Sequence, residues 1–250
     1  MTEQEIKDRM MQRLLETQRP WGRFRLNFYA KWKRVAWQVV VGGTQAAKRV
    51  VDTLVAGIGL LLISPLFLVV ALLIKRDGGP VFFGQRRVGY MGREFKMLKF
   101  RSMVVNAEAK LAELLKQNEK AGGVTFKMKN DPRITPIGRL IRKTSIDELP
   151  QLINVLRGEM SLVGPRPALP REVAMYSLED RRRLMAVPGL TCLWQVGERE
   201  GGFWEVGDRN AIDFPEQVHL DVRYIESQSI WRDFWILIKT VPAVFLGKGV

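Results

Sequence analysis

The sequence predicts an α+β protein, mostly helical and seated on a membrane, with only a small β element. Three features carry that expectation. Residues 50–74 (VVDTLVAGIGLLLISPLFLVVALLI) form an apolar run whose one charged residue is Asp52. Aromatic and basic residues interleave over 21–37, and aromatics recur at helical spacing near the C-terminus. Between these, residues 77–226 read as short strands and helices of a soluble type.

The N-terminal 1–19 read as a polar helix that Pro20 ends, with no apolar stretch resembling a secretory signal. Trp21, Phe24, Phe28, Tyr29, Trp32 and Trp37 then alternate with Arg23, Arg25, Lys31, Lys33 and Arg34, and no acidic residue falls between Glu16 and Asp52. Such rings and cations suit the headgroup layer of a bilayer, which makes 1–46 an interfacial extension. A basic surface helix or an RNA-binding arm is the competing reading.

The apolar segment, with its flanks residues 47–76, is long enough to cross a hydrocarbon core of about 30 Å as one helix. Ser64-Pro65 interrupts it near the middle, where proline removes a helical hydrogen bond. A serine hydroxyl there can satisfy the freed carbonyl. Lys48 and Arg49 precede the run and Lys75 and Arg76 follow it. Basic residues at both ends fit entry and return through one leaflet; a kinked spanning helix fits the same residues.

After the Gly78-Gly79-Pro80 turn, 81–83 and 95–100 read as strands around a Gly89–Gly92 turn. Helices are expected over 105–120, 137–143 and 170–185, with another beginning near 145–147 and a strand at 161–163. Residues 227–250 predict a C-terminal interfacial helix with Trp231, Phe234, Trp235 and Ile238 on one face and Arg232, Asp233 and Lys239 off it. A core-packing helix accounts for that pattern equally well.

Chemistry is bounded by what is scarce. One cysteine (Cys192) excludes an intramolecular disulfide framework and a cysteine zinc site, and a single histidine (His219) argues against a histidine-ligated metal or a Ser-His-Asp triad. Forty Lys and Arg against 26 Asp and Glu, a net charge of +14, suit a nucleic acid, an anionic lipid or a phosphorylated substrate, and the apolar run favours lipid over nucleic acid. Asp147-Glu148 stand just before Pro150, so both sit at a helix start. Carboxylates there are ordinary caps, or else a nucleophile or base and ligands for Mg²⁺ riding on substrate phosphates. Lys99, Arg101, Arg139, Arg142 and Arg166 surround them in apparent loops, Arg166 stiffened by flanking prolines. Carboxylates among fixed cations beside a membrane segment favour phosphoryl transfer.

At these residues the chain resembles the monotopic phosphoglycosyl transferases, also called bacterial sugar transferases or undecaprenyl-phosphate sugar phosphotransferases. The matching blocks are KRVVD, the Ser64-Pro65 break, GPVFFGQRRVG, KMLKFRSM, DPRITPIGRLIRKTSIDELPQLINVLRGEMSLVGPRP and PGLTCLWQV. The resemblance implies a re-entrant helix-break-helix hairpin turning at Ser64 and Pro65. It implies that Asp147 attacks the β-phosphate of a UDP-sugar, giving an aspartyl phosphosugar and UMP, after which undecaprenyl phosphate takes the sugar phosphate. Glu148 is then the partner carboxylate, and Mg²⁺ bridges carboxylate and diphosphate. Lys99, Arg101, Arg142 and Arg166 are expected at phosphates, with Gln85, Arg87, Gln195 and Arg199 as further candidates on the active-site face. Family members often continue Gly–Trp–Gln–Val–Asn–Gly–Arg where this chain has Cys192-Leu193-Trp194-Gln195-Val196-Gly197-Glu198-Arg199, which puts contacts there in doubt. The 105–120 segment looks like the insertion of longer members that handle hexose 1-phosphates, a tilt toward UDP-glucose or UDP-galactose. Longer members carry extra N-terminal spanning helices, so this chain resembles a catalytic unit with a short extension. The resemblance implies the bacterial inner membrane, a catalytic face toward the cytoplasm and an anionic phospholipid surface as partner. No nucleic acid is expected, and a homo-oligomer is left open. The alternatives are a basic membrane scaffold or nucleic-acid-binding protein, and a membrane phosphatase with water as acceptor.

Overall fold

The computed structural model describes residues 4, 5, 7, 11, 20–107, 109–110, 131–196 and 212–245. Most of the helix expected over 1–19, most of that expected over 105–120, and Gly197-Glu198-Arg199 lie outside the described residues. The chain divides into two compact units, Met1–Lys48 and Arg49–Val250, and helix α1 (Pro20–Lys75) contributes to both. In the first unit Trp21, Phe24, Phe28, Tyr29 and Trp32 are exposed. Trp21 meets Phe24 edge-on at 5.8 Å and the Lys33 ammonium lies 4.9 Å from the Tyr29 ring centre. These are i, i+3 and i, i+4 neighbours on one helix surface.

The break expected at Ser64-Pro65 is not a break in secondary structure: α1 is continuous, with Pro65 inside it. The physical reason is local. Proline at position 65 leaves the Leu61 carbonyl without its helical partner, and Ser64 Oγ donates to that oxygen at 2.8 Å. By length and composition Gly42–Lys75 could cross a membrane, with a best-window mean hydropathy of 2.8.

In the second unit one stripe of α1 is covered throughout. Asp52, Ala56, Val70 and Ile74 are buried, and Leu60, Ile63 and Phe67 are partly buried against the core. Their spacing of three or four residues is one helix face. Leu54, Ile58, Leu61, Leu62, Leu68 and Leu72 form the uncovered apolar remainder. Polar bonds fasten both ends of this stripe. Arg49 donates to the carbonyls of Val155 and Leu156, groups a helix end leaves open. Asp52, which the sequence placed at a membrane interface, is 5% exposed and accepts from Ser161 Oγ at 2.7 Å and Leu162 N at 3.3 Å. At the other end Arg101 donates to the Ile74 carbonyl at 3.1 Å, the Pro80 carbonyl at 2.6 Å and Asp77 Oδ2 at 2.9 Å.

Two small sheets frame the rest. Strands β1 (Phe82–Val88) and β2 (Glu94–Phe100) pair antiparallel, with Phe82 opposite Phe100 and Val88 opposite Glu94. Their turn uses Gly92 at φ 79°, a conformation natural to glycine. Helix α2 (Pro136–Lys143) is capped by Thr135, whose hydroxyl accepts from Gly138 N at 3.0 Å. Helix α3 (Gln151–Arg157) follows, ending at Gly158 with φ 82°. Strands β3 (Ser161–Val163) and β4 (Gly189–Thr191) pair in parallel.

The helix expected over 170–185 is instead a short α4 (Pro170–Val173) and a separate 3-10 turn at Asp180–Met185. The reason is a competing side-chain bond, since Asp180 Oδ2 accepts from both the Ser177 amide and hydroxyl. Helix α5 (Phe214–Glu226) had no counterpart in the sequence reading, although Asp213 caps it by accepting from Glu216 N at 2.9 Å. In α6 (Ile230–Phe245) Trp231, Phe234, Trp235 and Ile238 face outward as expected. Asp233 departs from the reading: it is buried, with its Oδ1 2.7 Å from the Tyr224 hydroxyl.

Val155, Val163, Leu193, Tyr224 and Ile236 form the centre of the main core. Near it the β3–β4 crossing depends on glycine. A Cβ on Gly189 would stand 2.0 Å from Gly164 N, and one on Gly164 would stand 2.4 Å from Val187 O. Gly189 N also donates to the Pro165 carbonyl at 2.9 Å, which ties the Pro165-Arg166-Pro167 loop to this strand pair. Gly189→Ala is expected to cost about 3 kcal/mol or more, because backbone rather than a flexible side chain must move. Thermal unfolding of the detergent-solubilised protein would read this as a lowered Tm.

Candidate active site

The site begins at the end of α2. Thr144 closes that helix and Ser145 turns the chain with φ 55°, a left-handed conformation uncommon outside glycine. Ile146–Glu148 then form one 3-10 turn before Pro150 opens α3. Asp147 is therefore not the N-cap of α3, as the sequence implied; that position belongs to Pro150. Strain at Ser145 sits next to the two carboxylates, where such strain tends to be kept.

Asp147 is 8% exposed and makes no hydrogen bond through its carboxylate to another of the described residues. Burial, opposed by Lys99 and assisted by Glu148, pushes its pKa up from 3.8 to about 6. It lines a cavity of about 620 Å³ together with Gln85, Lys99, Arg101, Arg133 and Arg142. Phe82, Phe83 and Phe100 supply an apolar wall on the same cavity. Glu148 is tied to Lys99, whose Nζ donates to Oε1 at 2.8 Å.

Of the cations predicted from sequence, Lys99, Arg101 and Arg142 line the Asp147 cavity, Arg166 borders the cleft at Glu148, and Arg139 lines neither. Arg142 lines the Asp147 cavity and lowers the Asp147 pKa by its charge. Arg101 reaches the cavity wall, yet its guanidinium is occupied by Asp77 and the Ile74 and Pro80 carbonyls, so it fastens the end of α1. Arg166 makes no hydrogen bond or ion pair among the described residues. Arg87 lies beside it, donating to Gln85 Oε1 at 2.8 Å and to the Pro167 carbonyl at 2.9 Å. Burial and the Arg166 charge bring the Arg87 pKa down to about 10. Two arginines held close without a full complement of acids mark a place for an anion. Arg87, Arg166, Glu148 and Gln151 border one small cleft. Gln195 is buried, accepts from the Cys192 thiol and lines none of these cavities, and Arg199 lies outside the described residues.

Sequence reasoning missed Arg133, which is buried, paired with Asp131 Oδ2 at 2.7 Å and on the cavity wall. The Asp-Pro-Arg spacing places that pair within two residues, a local signal available in the chain. It also missed the aromatic residues Tyr176 and Phe214, which meet at 5.4 Å in a second cavity.

A family model described as bacterial sugar transferase matches residues 43–247, which covers the second unit's elements through the end of α6 at Phe245. The chain belongs to that family. It is 43% identical over 213 residues to the exopolysaccharide production protein ExoY of Rhizobium meliloti, covering 84% of this chain and 89% of that protein. Identity is 48% over 203 residues with the galactosyl transferase CpsE of Streptococcus agalactiae, covering 81% of this chain and 43% of CpsE. The undecaprenyl-phosphate galactose phosphotransferase of Salmonella typhimurium is 43% identical over 205 residues, with 81% of this chain and 41% of that protein aligned. This sugar transferase chain therefore spans nearly all of some relatives and less than half of others.

Proposed function

We propose that the protein moves a sugar 1-phosphate from a UDP-sugar to undecaprenyl phosphate, releasing UMP, as the first membrane step of surface glycan synthesis. The observation that carries this reading is Asp147: a buried carboxylate with no hydrogen bond to another of the described residues, open to a cavity and flanked by Lys99 and Arg142. A structural carboxylate would be bonded; one kept unbonded in an electropositive pocket suits a nucleophile.

Asp147 oxygen attacks the β-phosphorus, and the bond from that phosphorus to the α-phosphate bridging oxygen breaks with its electron pair on UMP. A carrier phosphate oxygen then attacks the same phosphorus, and the aspartyl carboxylate leaves with the electrons of its P–O bond. The products are a polyprenyl diphosphate sugar and regenerated Asp147. Arg166 and Arg87 hold the diphosphate, Lys99 and Arg142 offset charge at the reacting phosphorus, and Glu148 assists the carrier phosphate. The charge state requires Asp147 to be ionised, which its pKa of about 6 permits at neutral pH.

Among the described residues no group of three His, Cys, Asp or Glu converges. Mg²⁺ needs only one or two carboxylates together with substrate phosphates. Asp147 and Glu148 would supply those carboxylates, and the ion when bound neutralises diphosphate charge. UDP-galactose and UDP-glucose are the favoured donors, in keeping with the galactose and glucose named for relatives from Salmonella and Caulobacter vibrioides.

A monotopic, re-entrant placement in the inner membrane is supported by the two fastened ends of the α1 stripe. Arg49 and Asp52 at one end and Asp77 at the other bond to the same catalytic unit. A helix crossing the bilayer would draw those charged contacts across with it, at a prohibitive desolvation cost. Labels at residues 47 and 78 in intact spheroplasts are expected to react only after the cytoplasmic face is opened. Reaction of one label from outside would establish a spanning helix.

The reaction itself is tested by UMP release from UDP-sugars with and without undecaprenyl phosphate. Acceptor-dependent UMP supports transfer; release of UDP would mean ordinary glycosyl transfer, and UMP release indifferent to acceptor would mean a hydrolase.

A further inference from the structure

The cavity of about 470 Å³ beside the reacting centre is not accounted for by the chemistry above. It is lined by neither Asp147 nor Glu148, and shares Arg87, Arg166 and Pro167 with the small cleft at Glu148. Its far wall is aromatic. Phe214 is 41% exposed, while Tyr176 and Trp194 beneath are buried. The wall is braced from behind: Arg183 lies 5.8 Å from the Tyr176 and Phe214 ring centres and pairs with Asp221, and Asp221 Oδ1 accepts from Trp194 Nε1 at 3.2 Å. Gln217 Nε2 donates to the Ile212 carbonyl at 3.2 Å, and Oε1 makes no bond among the described residues.

We infer that this cavity is the subsite for the departing nucleoside monophosphate, with the base against Phe214, an imide N–H to Gln217 Oε1 and the α-phosphate on Arg166 and Arg87. The inference rests on the transfer reading and adds to it the half of the donor that leaves. In-line displacement decides between nucleoside and sugar. Nucleophile and leaving group stand on opposite sides of phosphorus, so the sugar stays with Asp147 in its own cavity while the nucleotide departs across the arginines. Braced aromatic rings of modest exposure provide a stacking surface, and any base offers a π-face to them. The volume lies within the usual range for small-molecule sites.

The test uses the full chain in lipid nanodiscs with UMP as the probe, in direct binding by calorimetry and in inhibition of turnover. Phe214→Ala and Gln217→Ala are each expected to weaken UMP by about ten-fold, within the effect of one base-stacking or paired polar contact. The KM for undecaprenyl phosphate should stay where it is. Phe214→Tyr should restore UMP affinity, which a folding defect at this half-exposed position would not mimic. Unchanged UMP affinity in both alanine variants would overturn the inference. So would ribose 5-phosphate inhibiting as well as UMP, or variants that alter sugar preference while binding UMP normally. Wild-type protein that binds UMP through Phe214 yet shows no acceptor-dependent turnover would support the cavity and sink the transfer reading.

Discussion

Asp147→Asn is expected to abolish sugar-phosphate transfer, by on the order of 10⁴-fold or more, while raising rather than lowering the stability of the protein. The first half follows from losing the only group proposed to bond phosphorus. The second follows from linkage. Burial raises the Asp147 pKa from 3.8 to about 6, so between those values the native state binds the proton more tightly than the unfolded chain. Stability is therefore fully present below about pH 4 and falls as pH rises to 6, after which the ionised carboxylate weighs on the native state by roughly 2–3 kcal/mol. Asparagine removes that charge. A capping carboxylate would behave oppositely, since its loss removes a favourable bond and lowers Tm. The wild-type donor step should also rise with pH through about 6 as Asp147 ionises. It should be followed as UMP formed before the acceptor is added, because a carrier phosphate itself titrates near pH 6. Loss of activity with a lowered Tm, or a donor step flat from pH 5 to 8, would remove Asp147 from the role of nucleophile.

Much of this geometry was legible in the chain, for reasons that differ by residue. The strand pair was legible from short runs on either side of the Gly89–Gly92 turn, although the expected 81–83 stops short of β1 at Phe82–Val88, and α2 matches the expected 137–143 to within one residue. Lys99 and Arg142 were set beside Asp147 and Glu148 as cations in loops, but their roles at phosphates required a family resemblance, since Lys99 and Glu148 are 49 residues apart. What local pattern left open was partner choice. Arg101 and Arg166 look alike in sequence, yet one is bonded to Asp77 and the other bonds to none of the described residues, a difference set by tertiary contacts. Asp52 and Asp233 likewise read as surface charges beside apolar faces, and each proves to be buried against a hydroxyl, from Ser161 109 residues away and from Tyr224 on the preceding helix. A helix pattern shows which residues share a face but not what meets it. The 170–185 helix failed for the converse reason, a short-range bond from Ser177 to Asp180 outweighing helical spacing.

Glu148→Gln is expected to separate the two chemical steps. Glu148 borders the cleft that Arg87 and Arg166 line, and Lys99 Nζ holds its Oε1 at 2.8 Å. In the proposed cycle its carboxylate serves the carrier phosphate after UMP has left, so the first step should proceed and the second should slow by about 10²–10⁴-fold. Rapid-quench kinetics would show a burst of UMP stoichiometric with enzyme, then slow turnover, whereas the wild type need show no such burst. The amide also strips Lys99 of its acid, and the freed ammonium strengthens attraction for the anionic donor, so KM for UDP-sugar should fall or hold. Lys99→Met in the Glu148→Gln background should then cost less than Lys99→Met alone, the non-additivity of directly paired groups. A burst lost together with turnover would place Glu148 in the donor step, as a holder of the diphosphate rather than a partner of the acceptor. A turnover loss with a strictly additive double variant would mean that the Lys99 contact is incidental to either role.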